Sequence, residues 1–281
     1  MLTAALAFSI VPPGVDDPAR FLALGALSVM IIGASKAGFA AGGGPLSTPL
    51  MIYACGGDAL MANGIMLPML IACDYVCLIA WWGRWDRRIA LMLVPGMVVG
   101  IGMGWLTLWL FLRMGQSDAD RTIANAALSF TVGLMAVGFV TLRTIRFLGG
   151  NPGAFRPKFI HGWLFGSVGG LVSTLTNAAG PITAMFLLPQ QMPKGRYVAT
   201  TVLYAWIGNQ IKLIPYFFLG MLSAPSLSAD AALLPAVVGG ALLGMFLHNL
   251  VNERWFSVIV HVLLGAVGLH LAVTSAWKLW M

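Results

Sequence analysis

Residues 33–51 read GASKAGFAAGGGPLSTPLM, and residues 169–187 read GGLVSTLTNAAGPITAMFL. Both stretches are apolar and rich in Gly and Ala. Each carries a Gly-Pro, Gly44-Pro45 and Gly180-Pro181, 136 positions apart. A hydrophobic segment broken by Gly and Pro at matching places in two halves of a membrane chain points to a transporter binding site.

The surrounding sequence makes the membrane setting clear. Hydrophobic residues form 59% of the 281-residue chain and charged residues 9%, a balance foreign to soluble domains. Apolar runs fall near 20–35, 45–56, 59–82, 89–112, 122–142, 159–173, 182–192, 197–222, 231–251 and 256–280. Several exceed the roughly 20 residues that cross about 30 Å of hydrocarbon. The runs 20–35, 45–56, 159–173 and 182–192 are too short alone, and they flank the two Gly-rich motifs.

The first twenty residues lack a basic start, and Pro12-Pro13 interrupt a short apolar stretch, so they are expected to remain rather than act as a signal peptide. Cys55, Cys73 and Cys77 all lie in apolar runs without His or acidic partners nearby. Neither a disulfide nor a metal site is expected. The net charge is +7, but the basic residues sit in membrane loops, where they set orientation and do not imply nucleic acid.

Arg84, Arg87 and Arg88 mark the loop 83–88 as cytoplasmic, and Arg143, Arg146, Arg156 and Lys158 do the same for 143–158. Segment 113–121 is then outside, as are 57–58 and Asp16-Asp17. Lys194 and Arg196 read as inside, loop 223–230 as outside, Arg254 as inside and the C-terminus as outside. The segment 159–192 thus starts and ends on one side. The expected fold is an all-α polytopic membrane protein of two inverted repeats, each with a Gly/Pro-broken re-entrant hairpin followed by three transmembrane helices. The first repeat is 1–148, with hairpin 20–56 and helices 59–82, 89–112 and 122–142. The second is 149–281, with hairpin 159–192 and helices 197–222, 231–251 and 256–280. Pro95, Gly100 and Gly104 match Pro235, Gly240 and Gly244 at a nearby offset.

Irregular backbone at membrane depth must be buried in protein or line a wet cavity. Gly42, Gly43 and Gly44 permit such backbone. Pro45 and Pro181 suit the first position of a new helix. Helices beginning there would offer free N–H groups at Leu46, Ser47 and Thr48, and at Ile182, Thr183 and Ala184, near the midplane. Their partial positive charge favours an anion. Ser47, Thr48, Thr176, Asn177 and Thr183 add neutral side-chain donors, and Gly43, Gly44 and Gly180 allow close approach. The competing explanation is that Gly and Ala only permit close helix packing.

Ionisable residues inside a membrane are costly and mark function by default. Lys36 lies beside the first motif, where snorkelling to an interface is the plain alternative. Helix 59–82 carries Asn63 and Asp74 on nearly one face. Helix 197–222 carries Thr200, Thr201, Asn209, Gln210 and Lys212, with Gln210 opposite Asp74 in the repeat. Asp74 reads as the only carboxylate inside a membrane helix and is the proton-coupling candidate, whereas Lys212 would hold an anion. A direct bridge between the two is not assumed. His161, His248, His261 and His270 show no ligand spacing, and no cofactor or metal is expected. Trp81, Trp82, Trp85 and Trp105 read as interface anchors.

These motifs resemble the sulfite exporter TauE/SafE family: GFAAGGGPLSTPL (38–50), NAAGPITAMFLL (177–188), NGIMLPML (63–70) and ATTVLYAWIGN (199–209). The resemblance spans nearly the whole chain. It implies secondary transport of sulfite or an organosulfonate such as sulfoacetate, outward across a bacterial inner membrane. The second motif is less Gly-rich than the first. Expected partners are a small anionic substrate and membrane lipid, with a homodimer as an oligomeric option. A passive anion channel would use the same helix ends. A lipid-phosphate enzyme would need clustered Glu, Ser and Arg at the hairpin tips, yet the only Glu is Glu253.

Overall fold

The computed structural model describes residues 11–15, 17–38, 44–114, 118–148, 158–177, 179–247 and 253–280. Among them there are helices and no strands. In chain order these are α1 (Pro18–Gly38), α2 (Gly44–Ala54), α3 (Ala59–Ala80), α4 (Arg87–Met114), α5 (Asp118–Leu148), α6 (Phe159–Thr176) and α7 (Gly180–Leu187). A 3₁₀ turn (Leu188–Gln190) leads to α8 (Lys194–Phe218), α9 (Ala224–Leu247) and α10 (Glu253–Trp280).

Four of the described helices are long and apolar enough to cross a membrane: Pro18–Gly38, Ala59–Ala80, Arg87–Arg113 and Ser226–Leu247. Their outer faces fit that solvent. Leu91, Val98, Met103 and Leu106 on α4, and Leu234, Leu242 and Phe246 on α9, are exposed. Satisfying backbone groups internally is the condition for lying in hydrocarbon, and helices meet it.

Packing between the two halves is reciprocal. The first helix of each half packs on the fourth helix of the other, α1 on α9 and α6 on α4. The third helices, α3 and α8, pack together, as do the fifth, α5 and α10. Glycines make the first two contacts. A Cβ on Gly33 would lie 2.5 Å from the Val237 carbonyl oxygen, and one on Gly244 2.2 Å from that of Ala34. On the other pair, a Cβ on Gly100 would lie 2.0 Å from the Ser167 carbonyl oxygen, and one on Gly166 2.1 Å from that of Leu93. Backbone meets backbone, as small residues allow between membrane helices. The repeat-matched pairs Gly100/Gly240 and Gly104/Gly244 all fall in these crossings.

The helix α3 forms the centre, with Asn63 and Asp74 among its buried residues. Asp58 caps its start, its side chain accepting from the Met61 N–H at 2.9 Å, as an N-terminal carboxylate should. α8 runs antiparallel beside it. Gly64 lies against the Met221 carbonyl and Gly195 against the Trp81 ring.

Several expected boundaries move. The first helix, expected as a hairpin arm too short to cross alone, has 21 residues and reaches Gly38, about 31 Å at 1.5 Å per residue, long enough to cross a membrane; Lys36 lies inside it, paired with Asp74. α5 continues to Leu148 through Arg143 and Arg146; arginine is a good helix former. α9 begins at Ala224, inside the expected loop 223–230. There the Ser223 hydroxyl accepts from the Ser226 N–H at 3.3 Å, a capping bond, and Pro225 sits in the first turn, where it is tolerated. Asp230 is therefore inside a helix and only 4% exposed, so Asp74 is not the only membrane carboxylate. Trp81 is buried and donates its ring N–H to the Ala37 carbonyl at 3.2 Å, so it ties α3 to the end of α1 and is no interface anchor. Trp82 and Trp105 are exposed.

Candidate functional site

Two polar clusters lie along the α3–α8 seam. The first joins Lys36, Asp74 and Asn209. The Lys36 ammonium pairs with one Asp74 oxygen and lies 3.4 Å from the Leu70 carbonyl. The other Asp74 oxygen accepts from the Asn209 amide at 2.6 Å. Asp74 is fully buried, and Lys36 keeps 17% of its side chain exposed. A buried carboxylate survives only with partners such as these.

The second cluster holds the end of α6. Asn177 closes that helix in the left-handed region, φ 53° and ψ 22°, a conformation Asn tolerates better than most residues. Its side-chain oxygen accepts from the Lys212 ammonium at 2.7 Å, and its amide donates to the Asn63 oxygen at 2.9 Å. Asn63 in turn donates to the Leu175 carbonyl at 3.0 Å, and Lys212 to the Ser173 carbonyl at 3.2 Å. Tyr216 donates to the Thr174 carbonyl at 2.7 Å, and Thr48 donates to that of Thr176. The Ser173 carbonyl also accepts from the Asn177 N–H at 2.9 Å; beyond it the helix ends and intrahelical donors run out. Five consecutive carbonyl or amide groups there are taken up by α2, α3 and α8.

Between the clusters opens a cleft of about 740 Å³, open solvent at its mouth included. Its polar lining comprises Ser35, Lys36, Ser173, Asn177, Thr183, Thr201 and Asn209, together with Gly180 at the start of α7 and Tyr204 on α8. Lys36 is the single charged side chain among these lining residues. Ile32, Leu70, Met97 and Ile101 supply apolar walls.

The structure thus gathers Lys36, Asn177, Gly180, Thr183 and Asn209 around one space. Ser47, Thr48, Thr176, Gln210 and Lys212 are not among its lining residues. Ser47 and Thr48 are fully buried, the Ser47 carbonyl accepting from Ser28 at 2.8 Å. Lys212 is fully buried behind Asn177. Gly43 lies outside the described residues, as do Gly42 and His248; Gly44 is the first residue of α2. The second helix start departs from expectation in detail. α7 begins at Gly180, and the Thr183 N–H is already spent on the Ala179 carbonyl at 3.0 Å. Gly180 stands at the helix start, and Pro181 has no N–H to offer. Sequence reasoning missed Ser173 and Tyr204 as lining residues. Neither stands out by type or spacing; only the crossing of α6 and α8 brings them in.

A cleft with one charged lining residue, among helices long and apolar enough to cross a membrane, suits a membrane transport protein. The family model described as sulfite exporter TauE/SafE matches residues 23–271. The chain belongs to that family, whose members are transporters and not enzymes. Comparison with curated proteins and with solved structures gives no match.

Proposed function

We propose that the protein is a secondary transporter that exports a small sulfur-containing anion, sulfite or an organosulfonate such as sulfoacetate, across the bacterial inner membrane. The observation that carries this reading is Lys36: it is the single charged residue lining a cleft whose other polar lining residues are neutral donors and acceptors. Such a lining favours a small anion over a cation or an apolar solute. Gly180, at the start of α7, adds the positive end of a helix dipole to the same space.

In this reading Lys36, Asn177, Gly180, Thr183 and Asn209 contact the anion. Lys212 acts from behind by fixing Asn177, and Thr48 and Thr176 hold the α6 tip in place. Ser47 and Gln210 support the surrounding helices. For Gly43 and Gly44 the proposal rests on the sequence pattern alone. The chain crosses the membrane several times as two oppositely inserted repeats, 1–148 and 149–281. The reciprocal pairs α1/α9 and α6/α4 support that arrangement, since inverted repeats exchange equivalent contacts.

Thermal shifts of the purified protein with sulfite, sulfoacetate, sulfolactate, taurine, thiosulfate and sulfate test the reading. At least one of these should raise the midpoint in wild type and fail to do so in Lys36→Met. A flat response across the panel would sink the proposal. Flux in proteoliposomes then separates coupled transport from passive conduction.

A further inference from the structure

Lys36 faces two ways. Its side chain lines the cleft, yet its ion-pair partner, Asp74, is fully buried and not among the lining residues. Asn209 repeats the pattern: it lines the cleft, and its amide donates at 2.6 Å to the second Asp74 oxygen. The groups best placed to grip an anion are therefore already turned toward a carboxylate built into the protein.

We infer that a cleft anion competes with the Asp74 carboxylate for Lys36 and Asn209, so that each anion is bound together with one proton taken up by Asp74. This rests on the proposed function and specifies its coupling. An anion drawn onto Lys36 while Asp74 stays ionised would set two like charges on one ammonium, one of them a fully buried carboxylate. A like charge nearby disfavours the ionised form of a buried carboxylate. The proton goes to the Asp74 oxygen that Lys36 vacates, and water at the cleft mouth supplies it. When the anion leaves, the proton leaves and the ion pair re-forms.

The neighbours of Asp74 are consistent with this exchange. Lys36 on α1 and Lys212 on α8 are the cations that act on it. Lys212 is held by Asn177 and Ser173. Cys73 and Cys77 flank it on α3, 3.8 Å from each other. On α2, Tyr53 bonds His270. On α9, Asp230 lies one turn from Leu233, which packs at Gly25, three turns up α1 from Lys36. The charged positions of α5 lie near its ends, at 118–121 and 143–146. The other charges of α8, Lys194 and Arg196, lie in its first turn, and among the described residues the ion pair at Lys36 is with Asp74.

By linkage, anion affinity then falls as pH rises, and anion binding consumes protons. The predicted movement is symport: anion and proton travel the same way. The test is calorimetric titration of wild-type protein with sulfoacetate, which is fully ionised near neutral pH. It is run in two buffers of different ionisation heat. The expected result is uptake of about one proton per anion bound. In Asp74→Asn the uptake should vanish, and affinity at pH 8 should rise about tenfold over wild type, because the internal competitor is gone. If that variant does not fold, the wild-type proton count alone decides. Binding without proton uptake in wild type, or uptake surviving in Asp74→Asn, overturns the inference and leaves an anion cleft standing. Absence of any binding in wild type overturns both.

Discussion

Lys212 and Asn177 are joined by a 2.7 Å bond from ammonium to amide oxygen, at the point where α6 stops. The bond fixes a side chain that lines the cleft from a lysine that does not. Lys212 also donates to the Ser173 carbonyl at 3.2 Å, so it places positive charge at a helix C-terminus, where the dipole welcomes it.

Lys212→Met and Lys36→Met should therefore differ in kind. Removing Lys212 leaves the Asn177 side-chain oxygen without its ammonium donor and should destabilise the fold by about 1–3 kcal/mol. Removing Lys36 should abolish anion binding and also cost about 3 kcal/mol or more, because the fully buried Asp74 loses its cation. Thermal unfolding and anion titration of the two variants side by side check this. Equal losses of anion affinity with unchanged stability in Lys212→Met would place that lysine at the anion directly.

How much of this could be read from the chain follows from the kind of signal each residue gives. Asn63 and Asp74 were legible because eleven positions on a helix return to one face, and polar residues in an apolar run demand an explanation. The broken segments were legible because Gly-Pro at matched sites is a local signal. The Lys36–Asp74 pair was not, since 38 positions separate them and only the packing of α1 on α3 joins them. Asp230 was misplaced because Ser223, Pro225 and Ser226 read as loop, although the same residues make a helix cap. The packing explanation of the glycines holds for several of them. Gly33, Gly38 and Gly100 serve contact, while Gly180 opens the helix at the cleft.

Asp230 offers a second prediction. Both its carboxylate oxygens are buried and without a hydrogen-bond partner among the described residues. Such groups cost about 1–3 kcal/mol. Asp230→Leu should raise the unfolding midpoint in detergent. A lower midpoint would mean that the carboxyl has a partner contributed by residues outside the described ones.

The helix crossings give a third. A Cβ at Gly100 meets the Ser167 carbonyl oxygen at 2.0 Å, whereas one at Gly102 meets nothing within 4 Å. Gly100→Ala should cost about 3 kcal/mol or more, because backbone must move. Gly102→Ala should gain about 1 kcal/mol from helix propensity. Paired denaturation curves decide. A mild Gly100→Ala would show that α4 and α6 separate easily.

Sidedness supplies a fourth. Cys55, Cys73 and Cys77 are buried, so the native background should resist an impermeant thiol reagent. Arg84→Cys should label only from the cytoplasmic face and Leu227→Cys only from the outer face. Labelling of both from the same face would contradict the opposite insertion of the two halves.

The exchange of first helices between the halves also governs how the chain comes into being. Gly33 must meet Gly240, and Gly38 must meet Gly244, yet α9 leaves the ribosome long after α1. Until then α1 carries its glycine stripe and Lys36 in the bilayer without its final neighbour. Contacts of such high sequence separation are slow to form, and a nascent chain so exposed is open to misassembly. Until α9 is made, α1 has only elements already synthesised, α2 and α3 among them, to cover it. A truncated product ending before α9 should accordingly be recognised and degraded, even with its first half complete.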